Sequence, residues 1–201
     1  MTPPLVLASR SPRRAELLQR LGLRFACEPA DIDERYEGDE MPAAHAERLA
    51  REKAFVAAGR HPDALVLAGD TVVVLGRDVL GKPRDAADAV AMLERLGGRA
   101  HDVYTAVAVR WRGRTESAVE RTRVWMRALP RADLEAYVAT GEPLDKAGAY
   151  GIQGYGAALV ERIEGDFFAV MGLPVVRTLV LLERLGWRYR FDAGLEPVDA
   201  P

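Results

Sequence analysis

The chain has 201 residues, 28 of them basic and 30 acidic, for a formal net charge of −2, with 49 % apolar and 29 % charged residues. That balance is ordinary for a globular protein, and it excludes both the basic footprint of a nucleic-acid binder and the sparse apolar content of a disordered chain. The apolar runs are broken by Asp70 and Arg177, well short of the ~20 residues a membrane span requires. No basic region precedes the short apolar run in MTPPLVLASRSPRR, so a signal peptide is not predicted and the cytoplasm is the expected location. Cys27 is the only cysteine, which excludes an internal disulfide and a cysteine-rich zinc site; it is expected in the core.

Pro4–Ser9 reads as a short buried strand. A helix follows from Pro12 to about Leu21, with Ser11 as N-cap, Pro12 in the first helical position and Gly22 as its stop. Leu23–Cys27 is predicted as a second strand, and residues 28–41, acidic and aperiodic, as a loop. Leu49, Ala50, Ala54 and Ala57 mark a helix over Ala43–Gly59. Ala64–Leu75 is β-rich but is expected to break at Gly69 and Asp70. Asp85–Leu96 is a helix stopped by Gly97–Gly98. Val103–Trp111 and Glu116–Leu129 flank Arg112–Gly113–Arg114 as a hairpin. Arg131–Thr140 reads as a helix, Ala157–Ile163 as a strand and Pro174–Leu185 as a closing helix. The interleaving predicts an α/β domain over 1–191, with a mixed sheet and flanking helices, and a flexible tail over 192–201.

Of the 28 basic residues, 25 are Arg and only Lys53, Lys82 and Lys146 are Lys. A lysine kept in such an arginine-rich chain suggests a place where a compact point charge is needed rather than a planar fork; chance survival on a solvated face is the alternative. Residues 8–18, ASRSPRRAELL, carry a strand through a polar loop into a helix start, where backbone N–H groups, Ser9, Ser11, Arg10, Arg13 and Arg14 could hold phosphate. The same pattern fits a capped surface helix with solvated arginines. Asp70 interrupts a β-branched run, as a metal ligand, a group orienting water, or part of a tight turn. Lys82, between Gly81 and Pro83, could reach a polyphosphate or be plain surface charge.

In LDKAGAYGIQG (144–154), glycines allow close backbone approach, and Gln153 offers a donor and an acceptor that suit a uracil or thymine edge. By itself this is an unusual loop. Phe167, Phe168, Val170, Met171 and Leu173 are expected in the core, with Asp166 capping a short helix. His45, His61 and His101 show no metal spacing, and His101–Asp102 lacks a nucleophile-elbow serine.

Together, ASRSPRRAELL, LAREKA, GDTVV, GKP, HDVYTAV, DKAGAYGIQG and GDFFAVMGLP resemble, in order and spacing, the Maf family of nucleoside triphosphate pyrophosphatases, from about Leu5 to Leu185. The resemblance implies a fold like that of inosine triphosphate pyrophosphatases, with two lobes around a cleft. It implies hydrolysis of a nucleoside triphosphate to monophosphate and pyrophosphate with a divalent cation, Mg²⁺ or Mn²⁺. Carried over by position, Asp70 is the proton acceptor and a metal ligand, and Glu34, in the acidic loop, is a carboxylate placed near the metal. Ser9, Arg14, Lys53 and Lys82 contact phosphate. Arg13, Thr71 and Gln153 mark the subgroup acting on dTTP and UTP, whereas the sister subgroup, which prefers 7-methyl-GTP, lacks the GIQG-type loop. Gly97–Gly98 stands where Ser–Gly is commoner in the family, and Ala169 where a polar residue is usual; both lie off this set. Relatives often form dimers, so a homodimer is implied. Two other readings compete: a non-enzymatic regulator of septum formation acting by protein contact, and a nucleotide-binding module without turnover. The Lys/Asp constellation speaks for the enzyme.

Overall fold

The computed structural model describes residues 2–37 and 39–198. Its elements in chain order are β1 (Leu5–Leu7), α1 (Pro12–Arg20), β2 (Ala26–Cys27), α2 (Pro42–Arg60), β3 (Leu65–Leu75), β4 (Asp78–Leu80), α3 (Ala86–Leu96), β5 (Ala100–Trp111), β6 (Arg114–Met126) and α4 (Arg131–Ala139). Three short 3-10 turns follow, at Glu142–Asp145, Ala147–Ala149 and Gly154–Leu159. The chain continues through β7 (Val160–Glu164), α5 (Phe167–Met171), α6 (Val175–Arg184), β8 (Trp187–Arg190) and β9 (Gly194–Pro197). Among the described residues the main sheet runs β2-β1-β3-β5-β6-β7, with β4 on β3. Parallel pairs (β1 with β2 and with β3) and antiparallel pairs (β3 with β4, β6 with β7) make it the expected mixed sheet. No helix is long and apolar enough to cross a membrane, among the described residues.

Two compact units divide the chain. The first comprises Met1–Asp70, Thr105–Val119 and Gly172–Pro201, and the second Thr71–Tyr104 and Glu120–Met171. In the first, Leu5, Val6 and Leu7 pair in register with Leu65, Val66 and Leu67, and all six are buried. Such unbroken apolar runs are what a parallel sheet covered on both faces requires. Ser11 accepts from the Arg14 N–H as the cap of α1, as predicted. On α2 the buried positions Ala46, Leu49, Ala50, Lys53, Ala54 and Ala57 recur at helical spacing. Lys53 thus sits in a mainly apolar stripe, whose other buried polar residue is His45, one turn ahead of Leu49.

In the second unit, α3 and α4 pack together. Val90, Leu93, Val103, Val124, Leu134 and Tyr150 share one buried core. At about 1.5–3 kcal/mol for each large side chain, such burial is the main favourable contribution to folding.

Four expectations fail. β3 runs unbroken through Gly69 and Asp70, because a strand already in a sheet has ladder partners that outweigh the low β propensity of two residues. Cys27 lies exposed on the short β2 at the end of the strand order, not in the core. Phe167 and Phe168 are exposed and stack edge to face on each other, while Met171 and Leu173 are buried as expected. The segment expected to fray instead forms β9, which pairs with β8 and buries Leu195; Asp199–Pro201 lie outside the described residues.

Candidate functional site

The sharpest cluster of charge in the first unit is built on Lys53. The stripe of α2 carries its side chain inward, so its ammonium requires partners. It has two carboxylates: Asp70 Oδ1 at 2.8 Å and Glu34 Oε1 at 2.6 Å. Asp70 comes from the middle of β3 and its side chain is only 13 % exposed, whereas that of Glu34 is 61 % exposed, on the acidic loop. Two carboxylates and one ammonium leave a net negative charge. Such a group can accept a proton from water or offer hard oxygen ligands to a cation. No group of three or more His, Cys, Asp or Glu forms a metal cage among the described residues.

Beside this cluster lies the loop before α1. The Ser9 hydroxyl accepts from the Ser11 N–H at 3.1 Å and from Arg14 Nη1 at 2.9 Å. With both acceptor positions of Ser9 used, its own O–H is left to act as a donor. Arg14 Nε also donates to the Gly172 carbonyl at 2.6 Å. Burial pulls the Arg14 guanidinium below the usual arginine range; the Asp70 charge opposes this, Arg13 adds to it, and Glu34 opposes it. The guanidinium therefore senses both carboxylates. Room for it depends on Gly69: a Cβ there would lie 3.0 Å from the Ala106 carbonyl and 3.2 Å from Arg14 Nε. Gly69→Ala is expected to destabilise the protein by about 1–3 kcal/mol, the usual range for overpacking, as a lower urea midpoint at unchanged slope.

The acidic loop is folded by residues that the sequence reading left unassigned. Glu40 takes hydrogen bonds from Arg48 at 2.7 Å and from the Glu37 N–H at 3.0 Å, and pairs with His45 Nδ1 at 2.6 Å. These hold its carboxyl down to about 2, Arg48 first. Tyr36 stacks on the His45 ring at 3.6 Å. Burial, then the charges of Glu40 and Asp70, push the Tyr36 phenol up to about 12. The sequence assigns His45 no role beyond the absence of metal spacing. Its spacing to Arg48, one turn of α2 facing a run of acids, was the available signal.

The second unit holds the other expected site residues: Thr71, next in the chain after Asp70 and half-buried; Lys82, exposed in the loop after β4; and Gln153, half-buried. Gly148, at φ +71, donates its N–H to the Gly81 carbonyl at 3.0 Å and lies so close to Val73 that a Cβ would meet Cγ1 at 3.0 Å. The loop bearing Gln153 is thereby tied to the residue before Lys82 and to β3 two residues beyond Thr71. Lys146 bonds the Glu142 carbonyl and the Asp145 carboxylate, so the third lysine belongs to the architecture of this loop.

Comparison with known proteins gives a consistent picture. The family model described as "Maf-like protein" matches residues 4–185. A protein from Myxococcus xanthus named dTTP/UTP pyrophosphatase is 56 % identical over 188 residues, covering 92 % of this chain and 95 % of its own. A protein of the same name from Methylobacillus flagellatus is 52 % identical over 184 residues, covering 90 % and 92 %. Among solved structures, a HAM1 protein from Coxiella burnetii superposes with a TM-score of 0.50 at 18 % identity, covering 80 % of this chain and 81 % of its own, a likeness of fold alone.

Proposed function

This chain belongs to the Maf-like protein family, and from that premise we propose that it hydrolyses dTTP and UTP to the monophosphate and pyrophosphate in the cytoplasm. The observation that carries the reading is the buried Lys53 holding Asp70 and Glu34 together. The names of the relatives supply the substrates.

In the reaction, water attacks the α-phosphorus, the bond from that phosphorus to the α–β bridging oxygen breaks, and pyrophosphate leaves with the electron pair. Asp70 takes the proton of the attacking water. Lys53 donates to Asp70 Oδ1 and so fixes the orientation of the carboxylate. The Ser9 hydroxyl, the Arg14 guanidinium, Lys53 and Lys82 offset the charge of the triphosphate. Glu34 and Asp70 are the residues that would hold a divalent cation. Their hard oxygens fit Mg²⁺ or Mn²⁺, since Mg²⁺ takes one or two carboxylates and completes its shell with water and substrate phosphate. Such an ion, when bound, neutralises phosphate charge. Gln153 pairs with O4 and N3–H of the pyrimidine, and Arg13 and Thr71 complete the selectivity for dTTP and UTP. A base that leaves these half-buried polar groups unpaired is disfavoured.

Pyrophosphate release measured across dTTP, UTP, CTP, ITP, 7-methyl-GTP and the purine triphosphates, with Mg²⁺ or Mn²⁺, tests both halves. Turnover confined to dTTP and UTP is expected. Turnover of another base keeps the chemistry and overturns the assignment of Gln153. A folded, metal-supplied protein without turnover on any of them overturns the enzyme.

A further inference from the structure

We propose that Glu142 is a positioning residue for base selection: its carboxylate, together with the Tyr137 hydroxyl, pins the Gly151–Gly156 loop and thereby fixes the reach of Gln153. The inference rests on the reading above that Gln153 contacts the base.

The loop is held at both ends by one Glu–Tyr pair. Glu142 Oε1 accepts from Tyr137 Oη and from the Gly156 N–H, both at 2.9 Å. Glu142 Oε2 accepts from the Tyr155 N–H at 2.9 Å. Tyr137 Oη in turn accepts from the Gly151 N–H at 3.2 Å. Gln153 lies two residues from the anchor at Gly151 and two from the anchor at Tyr155. Its backbone thus has little freedom, although its side chain takes no part in these bonds.

Around the carboxylate and the Tyr137 hydroxyl the backbone closes so tightly that positions 154 and 156 admit only glycine. A Cβ at Gly154 would run into Glu142 Oε2, and one at Gly156 into the Gly151 carbonyl and the Tyr137 hydroxyl. A Cβ at Gly151 would lie 3.0 Å from Lys146 Cε and 3.3 Å from Glu142 Oε1. Of the glycines in 144–154, Gly151 and Gly154 thus bring the backbone close to Glu142.

The Glu142 side chain serves here as an acceptor. Three donors converge on it, and a carboxylate is the side chain that only accepts. In Glu142→Gln one oxygen becomes an NH₂ that must face a backbone N–H. The loop then shifts, and with it Gln153, while Asp70, Lys53 and Glu34 are untouched.

The test compares kcat and KM for dTTP, UTP and CTP in wild type, Glu142→Gln, Tyr137→Phe, Gln153→Ala and the Glu142→Gln/Gln153→Ala pair, with thermal melts of each. Glu142→Gln should raise KM for dTTP and UTP about tenfold or more and cut the dTTP-to-CTP ratio of kcat/KM by a similar factor, with kcat at saturation within about threefold. Tyr137→Phe should shift the ratio in the same direction by less, and it decides the matter if Glu142→Gln does not fold. The double variant should discriminate no worse than Gln153→Ala alone, because Glu142 acts through Gln153. Equal loss on all three nucleotides, or a lower melting temperature with an unchanged ratio, would show a merely structural glutamate and overturn the proposal. If Gln153→Ala loses discrimination and Glu142→Gln keeps it, the proposal fails while base reading by Gln153 stands. If Gln153→Ala keeps discrimination, the premise fails and takes the proposal with it.

Discussion

Asp70→Asn is expected to lower kcat for dTTP and UTP by roughly 10³–10⁴-fold while the protein stays folded, the upper range for loss of a positioned general base. The substitution preserves shape and leaves an amide in place of the carboxylate proposed above as proton acceptor. It also leaves Lys53 with a partner, since Glu34 Oε1 lies at 2.6 Å on the other side of the ammonium. Removing one member of a buried ion pair is usually costly because the other is stranded. Here the second carboxylate limits that cost, so the effect should fall on the chemical step. KM should change less than kcat, because Ser9, Arg14 and Lys82, the donors proposed above for the phosphates, are unaltered. Single-turnover assays with far-UV dichroism of the variant check the prediction. A folded variant retaining more than about a tenth of wild-type kcat would remove Asp70 from the role of base and return the question to Glu34.

How much of this site could be read in the sequence differs from residue to residue. Lys53 was legible twice: as one of three lysines among 28 basic residues, and as a cation at helical spacing among Ala46, Leu49, Ala50, Ala54 and Ala57. A helix stripe is a local property, so its period shows before any tertiary contact is known. Asp70 was visible as an anomaly in a β-branched run, but the expected break there was wrong, because ladder bonding and a charge partner 17 residues away are not local. The clamp of Tyr36, Glu40, His45 and Arg48 that shapes the loop bearing Glu34 has no periodic signature. Loops are written in pairwise contacts rather than in a repeat. The same holds for Glu142, which lies in a 3-10 turn and reaches residues 13 and 14 positions ahead. Cys27 and Leu195 make a complementary point. The first is exposed on the two-residue β2, and the second is buried where a flexible tail was expected, because exposure of a short segment depends on what covers it.

Acidification between pH 6.5 and 4 is expected to destabilise the protein through one residue, His101. Its ring is 2 % exposed, with Nε2 2.7 Å from the Tyr150 hydroxyl, and Nδ1 has no hydrogen-bond partner among the described residues. Burial pulls its pKa down to about 4, against a weaker pull upward from Asp102. Asp102 is itself engaged by Arg121 at 3.0 Å. The folded protein therefore holds His101 neutral, while the unfolded chain protonates it below the ordinary value of about 6.5. Between these values the unfolded state binds more protons, so stability rises with pH. The contribution is complete above about pH 6.5, declines as pH falls, and is fully lost below about 4. The gap corresponds to about 3 kcal/mol, a large share of the 5–15 kcal/mol typical of a folded domain. Glu40, whose carboxyl is lowered from 4.5 to about 2, acts in a separate window: its contribution is present above about pH 4.5 and is lost as pH falls through 2. Urea unfolding at pH 7.5, 6, 5 and 4.2 should thus show a falling midpoint in the wild type. In His101→Gln, which keeps a polar group for the Tyr150 hydroxyl but cannot titrate, that fall should shrink by most of its amplitude. An unchanged pH slope in the variant would mean that His101 is protonated in the folded state and that the burial argument for its neutrality is wrong.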